Sequence, residues 1–309
     1  DIYDKDTAYL KNGDGIWFTG NGGESWSFIC DNRNYPLKYG NILYSTGFYK
    51  IGGISTFGVY KTYDNGKNWV DITGDWDRSE PVGLQLDSNK LYVLKADTYP
   101  DEKIYFTTDE GNSWVYCSSF PKYAYIMRYY DFLIQGNHFL AIADGMNSST
   151  KIFFSDDYGM NWDSTVIENT RPGQFVSLGD NNIYFSSSNG IYYSSDYGKT
   201  WEQKWLADEP RISTFAISKD KQRIIANPYE KGLVYSLDGG ETWQYSETFK
   251  DYNPVAKNIH IAKDIDQQVL CSPMYFCPYR SDDNFKTWQE KSNGFSGRAA
   301  KDIAFHNNR

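Results

Sequence analysis

Apolar residues along this chain come in short runs of four to six, separated by polar stretches rich in Gly, Asn, Asp and Ser. One stretch reads "QFVSLG", "NIYFSSS", "GIYYSS", "TWEQKW", and the next reads "STFAIS", "RIIANPY", "LVYSLD", "TWQYSE". Runs of this length, rich in aromatic and β-branched residues and bounded by turn formers, predict β-strands. No segment carries a convincing helical period. Four such strands form one unit, and the unit recurs along the chain.

The recurrence is marked by a string, Ser/Thr-x-Asp-x-Gly-x-x-Trp. Its copies are Thr19/Asn21/Gly23/Trp26, Thr62/Asp64/Gly66/Trp69, Thr107/Asp109/Gly111/Trp114 and Ser155/Asp157/Gly159/Trp162. Ser194/Asp196/Gly198/Trp201, Ser236/Asp238/Gly240/Trp243 and Ser281/Asp283/Phe285/Trp288 complete the set. Successive Trp residues are 39 to 48 positions apart, a period that indicates a repeat architecture. Each element has a physical role. The Asp can accept from backbone N–H groups close by and fix a turn. The Gly supplies a positive φ without steric cost. The Trp opens the following strand and can bury a large ring between units. Equivalent Asp residues in equivalent turns are structural, since catalysis needs unlike groups brought together. The loop also lacks the alternating ligands and terminal bidentate Glu of an EF-hand.

The string resembles the Asp-box, or BNR repeat, of sialidases, sortilin-type receptors, xyloglucanases and the photosystem II assembly propeller. The resemblance spans the chain. It implies a β-propeller and leaves function open, because such folds host hydrolases, receptors and scaffolds. Seven units of four strands predict an all-β, seven-bladed propeller of antiparallel blades, read as one domain over residues 1–309. Every repeat Trp is expected to be buried, and Phe285, standing where the other copies have Gly, predicts a longer or distorted turn. Ring closure has two candidates. The C-terminal "KDIAFHNN" parallels the inner-strand run "KNIHIAKD", and its alternating Ile303 and Phe305 favour it over the N-terminal "DIYDKD".

Composition narrows the partners. A net charge of −9 and a pI near 4.9 argue against nucleic acid or an anionic membrane surface. No 18-residue apolar run is present to span a membrane. Four Cys and three His occur, with no CxxC pair, so no metal or other cofactor is expected. Cys271 and Cys277 could face each other across a hairpin, either as a disulfide or as two free buried thiols. The composition and the resemblance together suggest a secreted or cell-surface monomer.

Arg placement supplies the candidate site. Of nine Arg, six fall one per inter-blade connector: Arg33, Arg78, Arg128, Arg171, Arg211 and Arg298. The remaining connector has Lys250 and Lys257. On a closed ring these cations would surround one channel mouth, suited to carboxylate or phosphate. Trp76, Tyr125 and Trp205 are among the connector aromatics that could join them as contact residues. A second reading stands beside this one: Asp77, Glu168, Asp208 and Glu209 lie close to these Arg, and local ion pairs would merely stiffen the loops. Two functions follow. One is a non-catalytic recognition or scaffold propeller that binds a protein or an acidic glycan on the connector face. The other is a glycoside hydrolase, sialidase-like or xyloglucanase-like, with a site at the channel mouth. No catalytic residue is assigned. The Arg-Ile-Pro-type segment of sialidases is absent, and xyloglucanases set two propellers around a cleft.

Overall fold

A computed structural model describes residues 7–305 apart from 13–14, 32, 52–53, 75–80, 96–102, 122–128, 180, 206–210, 229–231, 250–258, 262–268, 274–277 and 296–299. The described strands form seven four-stranded antiparallel sheets. Blade 1 contains β1 (Ala8–Asn12), β2 (Gly15–Thr19) and β3 (Ser27–Asp31). Blade 2 is β4 (Arg33–Tyr39), β5 (Ile42–Ile51), β6 (Ile54–Thr62) and β7 (Val70–Asp71). Blade 3 is β8 (Pro81–Asp87), β9 (Lys90–Lys95), β10 (Lys103–Thr107) and β11 (Val115–Ser119). Blade 4 is β12 (Tyr129–Gln135), β13 (His138–Asp144), β14 (Thr150–Ser155) and β15 (Asp163–Ile167). Blade 5 is β16 (Pro172–Ser177), β17 (Ile183–Ser187), β18 (Gly190–Ser194) and β19 (Glu202–Trp205). Blade 6 is β20 (Ile212–Ile217), β21 (Ile224–Pro228), β22 (Val234–Ser236) and β23 (Gln244–Tyr245). Blade 7 is β24 (Ile259–Ile261), β25 (Val269–Pro273), β26 (Tyr279–Ser281) and β27 (Gln289–Glu290).

The last strand, β28 (Ala300–Phe305), is the inner strand of blade 1. It pairs antiparallel with β1, Leu10 opposite Ile303 and Ala8 opposite Phe305. The inner strands touch in sequence around the ring: β28 meets β4 on one side and β24 on the other. The C-terminal segment therefore covers an edge that β1 would otherwise leave open.

Core clusters sit between blades as well as within them. Ile42, Tyr44, Val59 and Ile72 of blade 2 pack with Leu91 and Val93 of blade 3. Leu140, Ile142 and Ile152 of blade 4 pack with Phe175, Ile183, Phe185 and Tyr192 of blade 5. A single blade has two apolar faces and can bury neither alone, which is why the repeat must close into a ring.

The repeat turn joins the third and fourth strands of each blade and has one geometry throughout. The Ser or Thr hydroxyl donates to the Asp carboxylate, at 2.7 Å from Thr62 to Asp64 and 2.6 Å from Thr107 to Asp109. The same bond joins Ser155 to Asp157, Ser194 to Asp196, Ser236 to Asp238 and Ser281 to Asp283. In blade 1, Asn21 takes the Asp role and accepts from Thr19 at 2.8 Å. That carboxylate or amide oxygen also accepts the backbone N–H four residues on, as Asp64 does from Asn68 and Asn21 from Ser25, each at 2.9 Å. Every turn holds two consecutive left-handed residues, for example Asn65 and Gly66 at φ 56° and 91°.

Two expectations are corrected. Trp26 and Trp288 are buried, at 3% and 5% exposure, while Trp69, Trp114, Trp162, Trp201 and Trp243 are only part-buried. These rings start the outermost strands, where neighbouring blades diverge and one ring edge reaches water. In four of the five the indole N–H finds a carbonyl: Trp114 donates to Ile72 and Trp162 to Ser119 of the preceding blade, Trp201 to Gly198 and Trp243 to Gly240 of their own turns. The seventh turn is neither longer nor distorted. Phe285 adopts φ 72°, its N–H donates to Ser281 Oγ at 3.0 Å, and the Thr287 N–H donates to Asp283 at 2.9 Å. Cys271 is a buried free thiol whose pKa burial pushes up, and Cys277 lies outside the described residues.

Candidate functional site

The strand bounds place two sets of loops at opposite ends of the ring. Hairpins between first and second strands share one end with the repeat turns. Connectors share the other end with the second-to-third strand loops.

At the repeat-turn end, a cavity of about 790 Å³ lies in the channel, walled by Leu84, Phe132, Phe175, Val176 and Ile217. Asp87, Asp131, Gln135, His138 and Lys219 supply its polar lining. Most of these polar groups hold neighbouring strands together. An inner strand turns one backbone edge to the channel, and side chains of the preceding blade satisfy it. Gln85 of β8 meets β12 with both ends of its amide, accepting the Ile134 N–H at 2.9 Å and donating to the Ile134 carbonyl at 3.1 Å. Asp131 of β12 accepts the Phe175 N–H of β16 at 2.9 Å. Asp87 accepts the Gly136 N–H at 3.0 Å, and Gln135 donates to Ser177 at 2.7 Å. The result is a girdle that joins blades 3, 4 and 5. Sequence reasoning missed it. Its signal was a polar residue inside an apolar strand, in "GLQLD" and "DFLIQ".

Beside the girdle, the His138 imidazole stacks on Tyr197 of blade 5 at 3.7 Å, and its Nδ1 lies 2.7 Å from Asp156 Oδ1. Lys199 Nζ reaches the other Asp156 oxygen at 2.7 Å and, together with His138, holds that carboxyl below the usual range. The cluster ties the repeat turns of blades 4 and 5 together.

The repeat-turn carboxyls are strongly acidic. Asp64 is lowered to about 2 by the Asn68 backbone N–H with help from the Thr62 hydroxyl. Asp109 is lowered to about 2 by the hydroxyls of Ser113 and Thr107, and Asp238 to about 2 by those of Thr242 and Ser236. Each oxygen is already engaged within its own turn, so these groups are fitted to hold backbone.

At the connector end, Arg171 immediately precedes β16 and Arg211 immediately precedes β20, and both are exposed. Neither forms an ion pair among the described residues. Arg33 is the first residue of β4, its side chain outside those described. Arg78, Arg128, Arg298, Trp76 and Tyr125 also lie outside the described residues. In the chain they fall near an inner-strand start, Arg128 directly before β12. Trp205 is a packing residue: it is 8% exposed and stacks on Tyr184 at 5.4 Å with an interplanar angle of 7°. Its indole reaches toward blade 6, where it lies against Gly240 and shares a core cluster with Val234 and Ile212. Among the described residues, no group of three or more His, Cys, Asp or Glu is arranged to hold a metal ion, and no helix is long and apolar enough to cross a membrane.

The sheets and channel define a seven-bladed β-propeller. No family model and no curated protein matches the chain. Solved structures of similar shape include YCF48 bound to D1 peptide, at 16% identity and TM-score 0.61, covering 87% of this chain and 85% of that one. A Lactobacillus plantarum protein aligns at 10% identity and TM-score 0.66, over 98% and 99% of the two chains. The Niastella koreensis GH74 enzyme aligns at 15% identity and TM-score 0.48, over 94% of this chain, which spans 55% of the enzyme's length. At these identities the likeness concerns the fold.

Proposed function

We propose that this chain is a recognition propeller whose connector face takes an anionic partner, a protein or an acidic glycan. One observation carries the reading: Arg171 and Arg211 are exposed at matching positions on neighbouring blades, directly ahead of inner strands. In sequence the pattern extends around the ring, from Arg33 through Arg78 and Arg128 to Arg298, with Lys257 two residues before β24. Inner strands start around the channel mouth, so this spacing favours several cations converging on one acidic group. Two guanidinium forks suit a carboxylate or sulfate presented to both. The structure of YCF48 bound to D1 peptide supports the reading in one respect, since that protein of similar shape takes a peptide.

The test is a protein and glycan array probed with the wild-type chain and with Arg171→Ala/Arg211→Ala, beside a panel of fluorogenic glycosides. Each lost charge-assisted bond should cost about 1.5–3 kcal/mol of affinity, and binding should weaken with salt. Binding that is unchanged in the double variant removes the Arg rim as a site. Turnover of a glycoside replaces recognition with hydrolysis, and the acid would then be sought on the same face, beginning with the exposed Glu168.

A further inference from the structure

A propeller closes its inner strands around the channel but leaves each outer strand with one open edge. Most of these edges are blunted here. β7, β23 and β27 are two residues long. β3, β11 and β19 are longer, but each has a register shift against its partner, and a bulge breaks the regular row of backbone groups. Among the described residues, β15 is the one outer strand with an uninterrupted five-residue ladder, running from Thr150 opposite Ile167 to Phe154 opposite Asp163. It carries three successive β-branched residues, Thr165, Val166 and Ile167, and Val166 is 46% exposed.

The direction of its backbone groups can be read. The Ser164 N–H donates to its own Asp163 Oδ1 at 2.7 Å, so it is turned away from β14. Antiparallel alternation then turns both backbone groups of Val166 to the same open side. Exposed carboxylates bracket the strand, Asp163 at its start and Glu168 just past its end. Lys151, opposite Val166 on β14, is buried with its Nζ over the Phe153 ring at 5.1 Å.

We infer that the outer edge of β15 is a strand-addition site for an extended segment of a partner polypeptide, apolar or β-branched at its centre and basic at both ends. With the Ser164 N–H engaged by Asp163, the groups left on this edge are the Ser164 carbonyl and the N–H and C=O of Val166, and another polypeptide backbone matches them. The bracketing acids select the flanking charges. A second copy of this chain is disfavoured: antiparallel pairing of β15 with itself sets Asp163 and Glu168 of one copy near Glu168 and Asp163 of the other. The net charge of −9 adds to that repulsion. The site lies on the outer rim of blade 4 and shares only Glu168 with the connector end, using neither Arg171 nor Arg211, so its failure and that of the function proposed above are distinguishable.

The probe is a fluorescein-labelled, end-capped peptide, Lys-Val-Ile-Val-Thr-Lys, titrated with the full chain by fluorescence polarisation. Saturable, salt-sensitive binding is expected, and a peptide with Glu in place of both Lys should bind roughly tenfold more weakly. Val166→Pro removes one outward N–H at an edge position where Pro is tolerated, and should weaken the basic peptide by roughly tenfold with the thermal transition retained. Glu168→Lys, at an exposed position, should narrow the gap between the two peptides, and it carries the test if Val166→Pro fails to fold. Absence of saturable binding, equal affinity for the two peptides, or an unaltered ratio in Glu168→Lys overturns the inference. So does a dimer in sedimentation that Val166→Pro abolishes, which would assign the edge to a second copy.

Discussion

The seam between blades 5 and 6 and the seam between blades 6 and 7 use the same turn and fill the space behind it from opposite sides. At the first, Gly240 sits at φ 92°, and a Cβ there would overlap the Trp205 indole reaching across from β19. At the second, Phe285 stands in the Gly240 position and is fully buried against Tyr235, Phe249 and Trp288. The preceding outer strand there is followed by a small residue, Ser246, whose hydroxyl donates to the Lys286 carbonyl at 3.3 Å. The difference teaches that the turn glycine answers two demands. One is the left-handed backbone, which a non-Gly residue can adopt at a cost of about 1–2 kcal/mol. The other is the absence of a side chain where the neighbouring blade already supplies the bulk. Phe285 accepts the first cost because its ring fills a gap that nothing else occupies.

The largest expected effect comes from emptying the second seam. Phe285→Ala keeps the left-handed backbone and removes the ring, so it should destabilise the chain by about 3–5 kcal/mol in urea unfolding. A loss below about 1 kcal/mol would mean that the ring is not filling the seam. A smaller effect is expected at the first seam. Gly240→Ala adds a Cβ against Trp205 and should cost about 1–3 kcal/mol, as overpacking does elsewhere. If space decides the cost, Trp205→Leu should recover part of it, with a coupling of about 0.5–3 kcal/mol in the double-mutant cycle. Strict additivity would assign the whole cost to backbone conformation and break the comparison.

The smallest differential effect is expected from acid, because both seams share the same turn carboxylate. Folded-state values near 2 for Asp64, Asp109 and Asp238 lie below the ordinary unfolded value of about 3.9. A depressed carboxyl stabilises the fold above the unfolded value and loses that contribution as pH falls through the folded one. The melting temperature should hold down to about pH 4 and decline between about pH 4 and 2. Asp238→Asn, which takes one carboxylate out of this titration, should flatten the decline slightly. Asn21, which holds the blade 1 turn as an amide, shows that the geometry survives without charge.

Much of this fold was legible in the residues. The repeated string located every third-to-fourth strand turn, since its Ser/Thr, Asp and Gly act within about five residues of one another. The alternation of Ile303 and Phe305 pointed to β28, because an amphipathic terminal run needs a sheet to join. The inter-blade matches were not legible. Trp205 read as a connector aromatic, and Phe285 as a defect in the turn. Gln85 and Asp131 attracted no notice. Each owes its role to a residue on a neighbouring blade, about 35–50 positions away.

The sequence by itself determined the blade count, the turn chemistry and the identity of the closing strand, because all three follow from local hydrogen bonding and from strand periodicity. Only the tertiary structure decided which side of a seam supplies the bulk, which channel groups are committed to neighbouring backbone, and which outer edge is left regular. Those outcomes depend on volumes and unpaired groups that meet only when the ring closes.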